Sequence, residues 1–338
     1  MSGPLLELRD LVVRLRTSTG LVTVVDRVSL SVDSGKVLGL VGESGSGKSV
    51  SMRAVFGLLP RDAVIEGSVT FDGEELVGLP QRAMRRYRGG RMAIIFQDPM
   101  TALNPVLTVG RQIAEAIRIH DPTVSPRAAI ARAVDLLDLV VIPDPSRRVA
   151  QYPHEYSGGM RQRAVIAMAM ANNPRLLVAD EPTTALDVTV QAQIMDVLRK
   201  LRDERGVGLI LISHDLGLVA GMAERVSVMY AGRVIEQGGV DDLFYRSRHP
   251  YTRGLLASLP KLDEVSERLF AIAGAPPIPS RRPSGCAFHP RCDYTRSGCR
   301  TTVPDLRPVD GLYSACHYAE EIGPESLQLG KGADEHLA

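Results

Sequence analysis

Gly42-Glu43-Ser44-Gly45-Ser46-Gly47-Lys48-Ser49-Val50 follows the nearly apolar run Val37–Val41 and opens a stretch of helical character, Ser49–Leu59. The pattern G-x-x-x-x-G-K-[ST] between a buried strand and a helix is a phosphate cradle. Its glycines let consecutive backbone N–H groups turn inward as an anion nest, and the helix N-terminus adds its dipole. In such a loop Lys48 reaches the β- and γ-phosphates and the Ser49 hydroxyl is placed to ligate Mg²⁺. The stretch decides for an α/β core that binds a nucleotide. It says little about what the nucleotide is used for.

Further along, Leu176-Leu177-Val178-Ala179-Asp180-Glu181 is a second buried-type strand that ends in an acidic pair. Open α/β sheets bind ligands at the C-terminal ends of their strands, so Asp180 is placed for Mg²⁺ and Glu181 for polarising an attacking water. A third such strand, Leu209–Ile212, is separated from it by the helix-like segment 188–204, and this alternation implies a parallel sheet. Residues 5–75 read as short strands with turn punctuation. Residues 98–175 read mainly as helix, with Thr108 and Ser125-Pro126 as starts, and VSVMY-AG-RVIEQ reads as a hairpin. From about 246 the character changes, and 274–308 is rich in Pro, Arg and Cys without a clear period, which predicts a loop-rich appendage.

Composition narrows the role. Hydrophobic residues make up 44% and charged residues 23% of 338, the balance of a folded globular chain. The 40 Lys+Arg against 39 Asp+Glu provide no bulk basic field for nucleic acid or anionic lipid. The longest wholly apolar run, Ala164–Ala171, is 8 residues, whereas a spanning helix needs about 20. Glu7, Arg9 and Asp10 stand where a signal peptide would place its apolar core, so the chain reads as soluble and non-exported.

Tyr156-Ser157-Gly158-Gly159-Met160-Arg161-Gln162-Arg163 presents Ser and two Gly at a helix start, a second anion-binding end. Together with the cradle and the acidic strand end, the set resembles the ATP-binding-cassette ATPases. Gln97 in IIFQDP looks like the family's Q-loop, Ser157-Gly158-Gly159 with Met160 its signature, Ala185-Leu186-Asp187 its D-loop, and His214 in LISHD its switch histidine. The resemblance implies a P-loop NTPase fold with a mixed sheet core, an antiparallel β subdomain and a helical signature subdomain over about 98–175. It also implies a mechanism. Facing protomers clamp ATP between the P-loop of one and the signature of the other, Gln97 touches Mg²⁺ or the water, His214 contacts the γ-phosphate, Asp187 crosses the seam, and hydrolysis through Glu181 reopens the clamp. The family's adenine-stacking aromatic falls on Leu15 here, which leaves apolar packing in its place.

Finer features, among them GESGSGKSVS, YSGGMRQR, ADEPTTALDVTVQAQI and RHPYTRGLLASLP, resemble the ATPases of dipeptide and oligopeptide importers, in the SGGM-signature form of the pair. That resemblance implies a second, different ATPase subunit, two membrane permeases, an extracytoplasmic solute-binding protein, and a peripheral place at the cytoplasmic face of the plasma membrane. Peptide is the leading cargo, with nickel, glutathione or other small solutes as alternatives. The expected division is 1–245 nucleotide-binding domain, 246–323 C-terminal extension and 324–338 flexible tail. Cys286-x5-Cys292-x6-Cys299-x16-Cys316 has no C-x-x-C pair. Four thiolates can hold Zn²⁺ or an iron–sulfur cluster, and GCAFHPRC is similar to the importer subgroup's 4Fe–4S tail; zinc, a disulfide and unliganded thiols stay open beside it. His289 and His317, next to ligand candidates, read as bystanders. Two other functions compete. A cassette ATPase acting on DNA or ribosomes calls for a long coiled coil or a second cassette, and neither is in this sequence. A redox-sensing switch has no need of the intact Glu181 and His214.

Overall fold

Strand β3, Val37–Val41, is buried at every position, and so are β7, Leu176–Asp180, and β8, Gly208–Ser213. Strands apolar on both faces belong inside a parallel sheet covered on both sides. In the computed structural model, which describes residues 3–18, 20–184, 186–259 and 272–322, β3 lies between β8 and β9 (Arg225–Tyr230), with β7 and then β6 (Met92–Ile95) beyond β8, all parallel. Past β9 the sheet continues antiparallel through β10 (Arg233–Gly239), β12 (Leu312–Ser314) and β11 (Arg307–Val309). A separate antiparallel sheet runs in the order β2 (Gly20–Val32), β1 (Leu6–Thr17), β4 (Val64–Phe71), β5 (Glu74–Glu75).

The period of two sorts each central strand between two cores. Leu38 and Leu40, Leu176 and Val178, Ile210 and Ile212 face Leu6, Leu8, Leu11 and Val28 of the antiparallel sheet, with Met52 and Phe56 filling the space between. Val37 and Val41, Leu177 and Ala179, Leu209 and Leu211 face the other way. There they meet Ile194, Leu198 and Leu201 of the helix Val188–Arg205 and, further out, Ile113, Leu137 and Ile166 of the helical lobe. Each such side chain contributes about 1.5–3 kcal/mol by leaving water, which holds the strand ends at fixed positions.

The helical lobe starts its helices where the sequence places them. Thr108 caps Val109–His120 by accepting from Arg111 N–H, and Ser125 caps Pro126–Leu139 by accepting from Ala128 N–H. The helix after the cradle runs Lys48–Val55, shorter than expected, because Phe56 ends it and Gly57 turns left-handed at φ 58°. The expected hairpin is β9–β10, turned by Ala231 and Gly232, both at positive φ.

The C-terminal segment differs from the expected appendage. It has 3₁₀ turns at Pro279–Arg281, His289–Arg291 and Ser297–Arg300, and it then returns as β11 and β12 to extend the main sheet. Asp310 and Gly311, at φ 45° and 86°, make the tight turn between those strands. Ala185 of the expected D-loop, residues 260–271 of the extension and the tail from 323 lie outside the described residues.

Candidate nucleotide site

The cradle hangs from the C-terminal end of β3. Gly42 turns at φ 148°, and a Cβ there would meet Met229 O at 2.2 Å, so no other residue fits without moving β9. Lys48 is buried and folds back on its own loop, donating to Gly42 O at 2.6 Å and Glu43 O at 3.0 Å. Burial lowers its ammonium below the usual lysine range, opposed by the carboxylates of Glu181, Asp180 and Glu43. A triphosphate would replace those carbonyls as the lysine's partner.

β7 brings the acidic pair to the same edge. Ser49 Oγ donates to Asp180 Oδ1 at 2.9 Å, which joins two hard oxygen donors from elements 131 positions apart. That pair suits the preference of Mg²⁺ for oxygen ligands and few protein contacts. Burial, the first cause, raises the Asp180 carboxyl, and the hydroxyl of Ser49 works against it.

Glu181 is the hub. It sits at φ 49°, a left-handed conformation that costs a non-glycine residue about 1–3 kcal/mol and is held by Glu181 N–H donating to Ile212 O at 3.0 Å. Its Oε2 accepts from Gln97 Nε2 at 2.8 Å and from Thr184 Oγ1 at 2.9 Å, and His214 Nδ1 stands 3.4 Å away. Gln97 follows β6, Glu181 follows β7 and His214 follows β8, so the two strand ends that flank β7 both aim at its carboxylate. A carboxylate fixed by side-chain donors is able to orient a water and take its proton.

Ser157 caps the helix Gly158–Ala169, accepting from Met160 N–H, and both Ser157 and Gly158 are exposed. Gly159 is required by packing: a Cβ there would meet Val190 Cγ1 of the following helix at 2.5 Å. Asp187 caps that helix, accepting from Val190 N–H. Thus the P-loop, Asp180, Glu181, Gln97 and His214 converge within this chain, while Ser157 and Gly158 of the expected signature face solvent and Gly159 and Met160 are buried. Leu15 stays half-buried on β1 opposite Val22, packed against the core between the sheets.

Residues 25–184 match the ABC transporter family profile, and 235–299 match the profile of the oligopeptide/dipeptide transporter C-terminal region. A putative peptide import ATP-binding protein of Brucella abortus is 50% identical over 316 residues, covering 93% of this chain and 95% of that protein. The chain belongs to the ABC transporter ATP-binding protein family. The oligopeptide transport ATP-binding protein OppD of Mycobacterium tuberculosis is 55% identical over 308 residues, 91% of this chain; the chain spans half the length of that relative. A dimeric bacterial ABC transporter cassette, MJ0796, superposes with a TM-score of 0.63 at 27% identity, over 70% of this chain and 98% of that one.

The family's cysteine segment needs a correction. Cys286, Cys292, Cys299 and Cys316 line one small cavity with His249, His289 and His317, yet all four are free cysteines. Among the described residues no three His, Cys, Asp or Glu side chains form a metal-holding group. The donor chemistry fits a thiolate-bound cluster; the arrangement of the side chains does not. Burial pushes the thiols of Cys286, Cys292 and Cys316 up from the usual cysteine range. His289 Nδ1 engages Cys286 O and His317 Nε2 engages Thr302 O, away from the role of ligands. Sequence reading missed Thr184, although it lies within the DEPTT stretch, and missed the partners of Glu43.

Proposed function

We propose that this chain is the ATP-hydrolysing subunit of a peptide importer. The observation that carries the reading is the convergence of Gln97, Thr184 and His214 on Glu181 beside the linked Ser49 and Asp180. In this reading Gly42 to Val50 bind ATP, Lys48 moves from its loop carbonyls to the β- and γ-phosphates, and Glu181 takes the proton of the attacking water. His214 holds the γ-phosphate, and Gln97 reports its presence. Ser49, Asp180 and Gln97 would hold Mg²⁺, which would supply charge neutralisation at the phosphates.

The exposed Ser157 and Gly158, backed by the buried Gly159 and Met160, then serve a facing protomer's ATP, and Asp187 approaches the seam. MJ0796, described as dimeric and, in a second structure, as bound to ADP and Pi, supports this arrangement by analogy. Peptide as cargo rests on relatives described as peptide import proteins. The partners are a second ATPase subunit, two permeases and a solute-binding protein, and nucleic acid is not among them. Among the described residues no helix is long and apolar enough to cross a membrane. The membrane association proposed with the importer is peripheral, at the cytoplasmic face. We keep 1–245 as the nucleotide-binding unit and 246–323 as the extension; the four cysteines, as they are arranged, do not support the expected 4Fe–4S cluster or its alternative, Zn²⁺. Purification under anaerobic conditions with iron, sulfide and zinc analysis decides the last point. Pull-down of permease subunits together with ATP-dependent peptide uptake by the reconstituted complex tests the main one; binding to ribosomes or DNA ends without permeases would overturn it.

A further inference from the structure

Glu43, the second residue of the phosphate loop, is an acidic group in a nest built to receive anions. Left unpaired, its carboxylate would repel a triphosphate at short range, where water screens little. It is not unpaired. Arg291, 248 positions later, meets it with a two-pronged contact: Nη1 donates to Oε2 at 2.7 Å and Nη2 to Oε1 at 2.9 Å. The guanidinium is only 6% exposed, and its remaining donors are engaged by Ala273 O at 2.8 Å, Ile272 O and Tyr230 Oη. From the same extension, Tyr251 Oη accepts from Glu43 N–H at 2.8 Å and fixes the backbone of that residue. A forked, partly buried guanidinium–carboxylate pair sets both charge and geometry, which a lysine at the same place would not.

We propose that Arg291 is a positioning residue for nucleotide binding: its fork with Glu43 neutralises and orients the acidic residue of the phosphate loop, and so makes ATP affinity depend on the C-terminal extension. The segment His289–Arg291 that carries it is followed at once by Cys292, so the wall of the cysteine cavity and the anchor of the P-loop are one piece of chain. The inference rests on the reading that this loop binds ATP.

The experiment measures ATP affinity of the full chain by calorimetry, and KM and kcat for hydrolysis. Arg291→Ala should weaken ATP binding roughly tenfold to a hundredfold, with the change in KM and little in kcat. Arg291→Ala combined with Glu43→Gln removes the stranded carboxylate and should restore most of that affinity, whereas a merely structural loss would not be rescued. Arg291→Lys keeps the charge without the fork and should fall between. If Arg291→Ala does not yield folded protein, Arg291→Gln carries the same comparison. Wild-type affinity in the folded single variant, or a double variant no better than the single, overturns the proposal while leaving ATP binding intact. Absence of ATP binding by the unsubstituted chain overturns both the proposal and the reading beneath it.

Discussion

Two residues of the site separate binding from chemistry. Lys48 lies in the cradle with its ammonium already engaged by Gly42 O and Glu43 O, partners that in the proposed reading it would exchange for phosphate oxygens. Lys48→Ala should therefore weaken ATP binding itself, read as a higher dissociation constant; undiminished affinity would remove the lysine from the cradle. Glu181 does not depend on ATP for its position, since Gln97, Thr184 and the backbone of Ile212 hold it. Glu181→Gln keeps the shape and loses the base, so ATP should bind normally while turnover falls by about a hundredfold or more. An unchanged turnover number would take the role of general base from Glu181. The contrast between the two variants, one in affinity and one in rate, assigns the two halves of the site separately.

At the scale of the element, local signals were readable and long-range ones were not. The strand–loop–helix around Lys48, the acidic end of β7 and the caps at Thr108, Ser125 and Ser157 all follow from residues within a few positions of one another. Arg291 facing Glu43 and β12 pairing with β10 join distant segments, and nothing in a local window marks them. Asp310-Gly311 was the one readable clue to the β11–β12 hairpin, a short positive-φ turn between apolar neighbours, overshadowed by Pro and Cys content. That pairing has a consequence in β10. Glu236 lies opposite Ser314 of β12, fully buried, and burial raises its carboxyl from 4.5 to about 7. Below pH 4.5 both folded and unfolded chains hold the proton. As pH rises from there to about 7 the unfolded chain releases it first, so stability falls across that window and stays lower above it, by about 3 kcal/mol in all. Glu236→Gln cannot ionise, and its advantage over the unsubstituted chain should grow by about 2 kcal/mol between pH 5 and pH 8 in denaturant unfolding. A pH-independent difference between the two chains would show that Glu236 keeps an ordinary carboxylate.

For the whole molecule, the decisive asymmetry is that Gln97, Glu181 and His214 meet at neighbouring strand ends while Ser157 and Gly158 face solvent at the start of another helix. A helix N-terminus with two glycines and an exposed hydroxyl offers N–H groups to an anion, and its own chain's phosphate loop is served by a different helix, Lys48–Val55. In the proposed reading, a second protomer turned about a twofold axis would bring each such corner to the other's nucleotide and make ATP part of the interface. The prediction concerns assembly. Glu181→Gln with ATP and Mg²⁺, mixed with its companion ATPase if the chain does not pair with itself, should elute at twice the protomer mass in light-scattering chromatography. ADP should return it to the single protomer. Adding Ser157→Arg should abolish the paired species while each protomer still binds ATP through its own Lys48, because the bulk and charge are placed at the seam and not in the cradle. If Ser157→Arg instead weakened ATP binding by the isolated protomer, the signature would act within its own chain and the clamp would have to be abandoned. Loss of pairing with affinity preserved is what a nucleotide shared between two chains requires.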